Sequence, residues 1–255
     1  MLLVIDAGNT NVTIGVYKED ELLFVSRLAT DRAVTGDEFA IRLLSIFELN
    51  GIAPEEIEGS IISSVVPEHT RSIKLGVRKV TKTEPIILGP GVKTGLNIKL
   101  DNPAELGADL AATAVGALSQ YELPCVMVDL GTATKLTVLD SDGSFLGGSI
   151  APGILISLDA LANGASMLSS ISLHSPKATI GTNTTECLRS GIVFGTAEML
   201  DGILDRIEAE LSSPPKTIVA TGGLATIVVK HCRHEMIYNA DLLLEGLKVI
   251  YKKNQ

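Results

Sequence analysis

One pattern occurs twice in this chain, and the repeat limits the folds open to it. VIDAGNTNVTIGV, from Val4, is an apolar run ending in Asp6, then Gly8, small polar residues and an alternation of apolar with small or polar positions. VMVDLGTATKLTVLD, from Val126, has the same order: apolar run, Asp129, one further residue, Gly131, hydroxylic residues, alternation. Asp129 stands 123 positions after Asp6, and Gly131 the same distance after Gly8, close to half of the 255 residues. Later pieces roughly keep step. ELLFVSRL after the first hairpin has a counterpart in GSFLGGSI after the second, and SIISSVVP has a looser one in TIVATGGL. Self-similarity at half the chain length predicts two related α/β halves, 1–118 and 119–255, divided near Ser119 to Pro124.

Strand alternation with Gly and Asn at the turns makes each half open with a β-hairpin. TGDEFAIRLLSIFEL reads as a helix capped near Thr35 or Asp37. ECLRSGIVFGTAEMLDGILDRIEAEL reads as a long helix with its acidic residues on a solvated face, and LLLEGLKVIYKKN as a short amphipathic C-terminal helix. Pro152-Gly153 reads as a turn leading into a further helix.

Bulk properties narrow the function. Apolar residues make up 45% of the chain, enough for full cores, while Trp is absent and the net charge is −9. Neither a nucleic-acid binder nor a membrane-surface binder fits that balance. Three scattered cysteines, Cys125, Cys187 and Cys232, fit a reducing compartment, and no run approaches the ~20 apolar residues of a membrane span. The expectation is a cytoplasmic protein. His231, Cys232 and His234 are close in sequence but have no fourth metal ligand nearby, so a metal site there is disfavoured.

A carboxylate at the tip of an apolar strand needs a partner, because burying it alone is costly. Beside a phosphate chain it can hold Mg²⁺, which takes hard oxygen ligands, while glycines let backbone N–H groups approach phosphate oxygens. The alternative is two structural hairpins whose aspartates cap their turns. The pairing across the chain, with the Gly222-Gly223 strand end in ATGGLA, favours a nucleotide site in which those glycines lie near the adenosine, the alternative for them being an ordinary strand-to-helix turn. In DNPAELGADLAATAVGAL, Asn102, Pro103 and Glu105 form a helix-start signature. The Ala- and Gly-rich helix that follows, 104–118, can approach another backbone closely, in the same chain or in a partner subunit. Asp109 would lie about two turns in. Facing inward it can accept a proton from a hydroxyl nucleophile; facing outward it is an ordinary surface residue. Thr184 stands where a hydroxyl can meet a ligand at a helix start, unless Thr182 or Asn183 simply caps there.

Together, DAGNTN, SSVVP, GVKTGLNI, DNPAELGAD, DLGTAT, GGSIAPG, GTNT, SGIVFG, TGGLA and LLLEGL make the chain resemble the type III pantothenate kinases. These belong to the superfamily of acetate kinases, sugar kinases, heat-shock ATPases and actin. The resemblance implies a duplicated ribonuclease-H-like (actin-like ATPase) fold with a nucleotide cleft between its halves, and a homodimer with pantothenate near the dimer interface. It implies ATP-dependent phosphorylation of pantothenate to 4′-phosphopantothenate, the first step of coenzyme A synthesis, with Mg²⁺ and a monovalent cation, K⁺ or NH₄⁺. By motif position it makes Asp6, Ala7, Gly8, Asn9, Thr10, Asn11, Val12 and Thr13 the first phosphate loop, with Asp6 at Mg²⁺. Thr132, with Gly222 and Gly223, is placed on ATP, and Asp129 at the monovalent cation. Asp109 becomes the catalytic base, and Leu100, Gly107, Ala108, Leu110 and Thr184 line the acceptor site. The chain departs from the family pattern at four positions: Leu100 for Tyr, Leu110 for Arg, Thr113 for Asn and Lys135 for Thr. Those departures keep two alternatives open, a kinase of another small hydroxylated acceptor and a weakly catalytic nucleotide-binding accessory protein.

Overall fold

The computed structural model describes residues 1–164 and 171–255. The described chain divides into two compact units. One comprises Met1–Leu96, Asp101–Ser119 and Leu242–Gln255; the other comprises Asn97–Leu100 and Gln120–Asp241. The chain passes from one unit to the other between Ser119 and Gln120. The last segment and Asn97–Leu100 each group with the other half from the one their sequence position suggests.

In the first unit, β1 (Leu2–Ala7), β2 (Asn11–Lys18) and β3 (Glu21–Ala29) form an antiparallel meander. After α1 (Gly36–Leu49), β4 (Gly59–Ser64) returns parallel to β1, and after α2 (Pro67–Thr81), β5 (Ile86–Ile87) lies parallel to β4. The sheet order is β3-β2-β1-β4-β5. Leu3 and Ile5 of β1 pack with Phe39, Leu43 and Phe47 of α1 and Ile73 and Val77 of α2. Val4, between them, packs on the opposite face. Both faces are therefore covered, which is why β1 reads as a nearly continuous apolar run. Thr35 is the α1 cap: its hydroxyl accepts from Glu38 N at 3.3 Å, and the Glu38 carboxylate accepts from Thr35 N at 2.8 Å.

In the second unit, β6 (Asn97–Ile98) is a short edge strand. Between it and the main sheet the chain visits the first unit with α3 (Ala108–Gln120). β7 (Cys125–Leu130), β8 (Ala133–Leu139) and β9 (Ser144–Pro152) then form the second meander. α4 (Ile154–Gly164) and the long α5 (Thr184–Glu210) follow. β10 (Thr217–Thr221) pairs parallel with β7, α6 (Ala225–Val228) is a single turn, and β11 (Ile237–Tyr238) pairs parallel with β10. The order β11-β10-β7-β8-β9-β6 is the first sheet's order read in reverse, with β6 added. The repeat seen in sequence is thus a repeat of topology: β1 with β7, β2 with β8, β3 with β9, β4 with β10. Each meander even carries its irregularity at the matching place, between Val16 and Tyr17 and between Val138 and Leu139.

α7 (Leu242–Lys253) closes the first unit and explains the Ala-rich helix. A Cβ built on Gly116 of α3 would come within 2.2 Å of the Leu242 carbonyl oxygen, and one on Gly246 within 1.8 Å of the Ala112 oxygen. Ala112 and Val115 share an apolar cluster with Leu244, Leu247 and Ile250. The small residues serve helix packing inside one chain, which removes them as an argument for a subunit contact.

Two sequence expectations change. Asn102 does cap a helical start, accepting from Ala104 N at 3.2 Å, but the turn it caps is a 3₁₀ turn at Pro103–Glu105. Leu106 then leaves helical geometry, and α3 begins anew at Ala108, so Asp109 sits in its first turn rather than two turns in. Asp201 of α5 is fully buried, not on a solvated face. Its carboxylate accepts from Arg233 N at 2.7 Å and His234 N at 3.1 Å, and pairs with His234 Nδ1 at 2.7 Å.

Candidate active site

The two hairpin turns hold the strand-end aspartates in different ways. In the first unit, Asp6 lies in register between Thr13 of β2 and Ser63 of β4. Ser63 Oγ donates to Asp6 Oδ1 at 2.9 Å. The turn beyond it is tight, with Gly8 N donating to Asn11 O at 2.9 Å. Thr30, at the end of β3, braces it from behind: its hydroxyl donates to Gly8 O at 2.7 Å and its N–H to Thr10 O at 2.9 Å. Asn9, Thr10 and Asn11 stay exposed. A braced turn with outward polar side chains suits a polar, oxygen-rich ligand, since its shape is set before the ligand arrives.

In the second unit, Gly131 N donates to Ala133 O, making a turn one residue shorter than the first. Asp129 consequently faces Lys135 across the ladder, with Lys135 Nζ 2.8 Å from Asp129 Oδ2. Two further segments crowd this turn. A Cβ on Gly153 would reach within 2.0 Å of the Thr132 oxygen, and one on Gly222 within 2.5 Å of the Leu130 oxygen. Gly222 also has a φ of 97°, so glycine is required there on two grounds. A Cβ on Gly223, by contrast, would meet open space. The structure therefore brings together Asp129, Gly131, Thr132, Lys135, Gly153 and Gly222.

Asp109 lies in the first turn of α3, with its carboxylate folded back over Gly107. A Cβ at Gly107 would lie 2.6 Å from Asp109 Oδ1. Thr113 is engaged with its own helix, its hydroxyl donating to Asp109 O at 2.9 Å. Ala108 and Leu110 flank Asp109 and are partly exposed. Leu100 belongs to the second unit, where its Cδ2 lies 3.3 Å from the position of a Cβ on Gly147. Thr184 opens α5 and is exposed, while Asn183 is the cap, accepting from Glu186 N at 3.0 Å.

His231, Cys232 and His234 point to separate partners. His231 Nε2 meets Ser175 Oγ at 3.0 Å, and the His231 ring lies edge-on to Phe194. His234 binds Asp201. Burial, then the charges of Asp201 and Glu198, push the Cys232 thiol up to about 12, which disfavours a metal-binding thiolate. Among the described residues no group of three or more His, Cys, Asp or Glu is arranged to hold a metal ion. None of their helices is long and apolar enough to cross a membrane.

Ser63, Thr30, Gly153 and the Lys135 contact were not assigned to the site from sequence. For Lys135 a signal existed, since a tight turn at Gly131 sets Asp129 opposite it. Ser63 has no local signal, because a parallel register between strands 57 residues apart is decided by tertiary packing.

The family model for the type III pantothenate kinases matches residues 2–206. A type III pantothenate kinase of Halalkalibacterium halodurans is 44% identical over 254 residues, covering all of both chains. In structure the chain is similar to a putative 2-dehydro-3-deoxygalactonokinase of Sinorhizobium meliloti, with a TM-score of 0.66 at 13% identity over 100% of this chain and 99% of the other. It is also similar to component A of the (R)-2-hydroxyglutaryl-CoA dehydratase of Acidaminococcus fermentans, with a TM-score of 0.58 at 15% identity over 99% and 98%. At such identities these likenesses speak to fold alone, and the fold is the duplicated ribonuclease-H-like one that the family resemblance implied, with the two related halves that the repeat implied. With a family model matched over most of its length and a relative aligned from end to end, the chain belongs to the type III pantothenate kinase family.

Proposed function

We propose that the protein transfers the γ-phosphoryl group of ATP to pantothenate, giving 4′-phosphopantothenate for coenzyme A synthesis. The observation that carries this reading is the full-length, 44% identity to a pantothenate kinase. Asp109 is the base: its carboxylate receives the proton of the acceptor hydroxyl as the oxygen attacks phosphorus. Gly107 leaves room for that carboxylate, and Ala108, Leu110, Thr184 and Leu100 contribute to acceptor binding. The turn from Asp6 to Thr13 and the residue Thr132 bind ATP phosphates, with Gly222 and Gly223 toward the nucleoside. Asp6, an oxygen donor steadied by Ser63, fits Mg²⁺ carried by ATP. When bound there, Mg²⁺ supplies charge neutralisation on the phosphate oxygens.

A homodimer is part of the same reading. With α3 used inside the chain, the exposed apolar side chains Leu146 and Ile150 of β9 and Leu155 and Ile156 of α4 are the surface that supports it. The test of function is a coupled assay of ADP release with Mg·ATP and pantothenate, alongside other small hydroxylated acceptors. Pantothenate-dependent turnover is the expected result. Turnover only with a less anionic acceptor would favour the second reading, for which Leu110 is the specific observation, since Leu cannot pair with a carboxylate as Arg does.

A further inference from the structure

The family resemblance places a free monovalent cation at Asp129, and the residues around that carboxylate do not fit one. Lys135 Nζ stands 2.8 Å from Asp129 Oδ2, with only 16% of the Lys135 side chain and 23% of the Asp129 side chain exposed. The two residues are direct partners in the β7–β8 ladder, so their side chains leave the sheet on the same face. The other carboxylate oxygen, Oδ1, lies against Gly131, where a Cβ would come to 3.2 Å. In the first hairpin the corresponding position opposite Asp6 is the neutral Thr13. The positive charge is therefore particular to the second hairpin and is not a demand of the repeated fold.

We propose that the Lys135 ammonium takes the place of the free monovalent cation at Asp129, so that this kinase works without K⁺ or NH₄⁺. An alkylammonium carries one positive charge and three N–H donors, chemically close to NH₄⁺. Tethered to β8 opposite Asp129, it is present at a high effective concentration whatever the salt. A second cation at the same carboxylate would meet a like charge at short range in a mostly buried setting, where screening is weak.

The functional consequence rests on the kinase reading above, and the experiment separates the two. Turnover of Mg·ATP with pantothenate is measured in choline chloride and in KCl at equal ionic strength. The parent is expected to change by less than about twofold between them. Lys135→Thr is expected to lose about 10- to 150-fold in choline and to recover with K⁺ or NH₄⁺. That rescue is a readout a merely structural lysine would not show. A parent that needs K⁺, or a Lys135→Thr variant as active in choline as the parent, overturns the proposal while leaving the kinase reading intact. If Lys135→Thr does not fold, the response of the parent to K⁺ decides. If the parent phosphorylates pantothenate in neither salt, the kinase reading fails instead, and thallium(I) binding followed by ²⁰⁵Tl NMR decides the proposal. The parent should bind no Tl⁺ that Asp129→Asn abolishes, and such binding would overturn it.

Discussion

Asp109 and Gly107 behave as one unit. The carboxylate occupies the space a side chain at Gly107 would take. Asp109→Asn keeps the shape and removes the proposed base, so turnover should vanish while ATP affinity, measured by calorimetry, stays near that of the parent. A variant turning over at parental speed would exclude Asp109 as base. Gly107→Ala should leave the melting temperature nearly unchanged yet lower kcat by about 10²-fold, because displacing a reacting group by ~1 Å is that costly. Leu110 is the residue through which the acceptor can be probed. If pantothenate is bound without a charged anchor, Leu110→Arg should raise kcat/KM for it, by at most ~150-fold for one charge-assisted hydrogen bond. No gain in steady-state kinetics would mean that the pocket suits a different acceptor. The sequence offered Asp109 by its motif, but not its placement over Gly107, because the break at Leu106 that restarts the helix is a backbone event without a residue signature.

At the scale of elements, the α3–α7 contact tests how far the fold depends on small residues. Helix propensity alone would make Gly246→Ala stabilising by about 1 kcal/mol. The steric term wins, because the new Cβ would stand 1.8 Å from the Ala112 carbonyl oxygen, a backbone atom that cannot swing aside. The expected outcome is a loss of about 1–3 kcal/mol in urea unfolding, the usual cost of overpacking. A second element-scale prediction concerns Asp201, which ties α5 to the segment carrying Arg233 and His234. Burial opposes its ionisation most strongly, but the hydrogen bonds from Arg233 and His234 outweigh that and hold its carboxyl below the ordinary value. A depressed folded-state value means that the stabilisation is complete above pH ~4 and drains away as pH falls through the folded value. Asp201→Asn should therefore cost about 1–3 kcal/mol at neutral pH, and the gap to the parent should narrow in acid. A gap independent of pH would mean that Asp201 acts through its shape alone.

At the scale of the whole molecule, Ile150→Glu should yield a monomer by sedimentation velocity if β9 and α4 carry the dimer contact, whereas an unchanged dimer would move that contact elsewhere. The halves themselves were legible in sequence because duplication leaves two copies of one pattern, and a strand buried on both faces must be apolar wherever it occurs. The strand-end and turn positions of Asp6, Gly8, Asp129 and Gly131 were legible for the same reason: turn chemistry and strand periodicity are local, and local constraints are written in neighbouring residues. What only the tertiary structure decided is non-local. It seated Gly222 and Gly153 against the second turn, set Ser63 on Asp6, and packed the small face of α3 against α7 rather than leaving it for another subunit. Those contacts join segments tens to more than a hundred residues apart. Their register follows from how covered sheets and helices pack together, and no single stretch of chain carries that information.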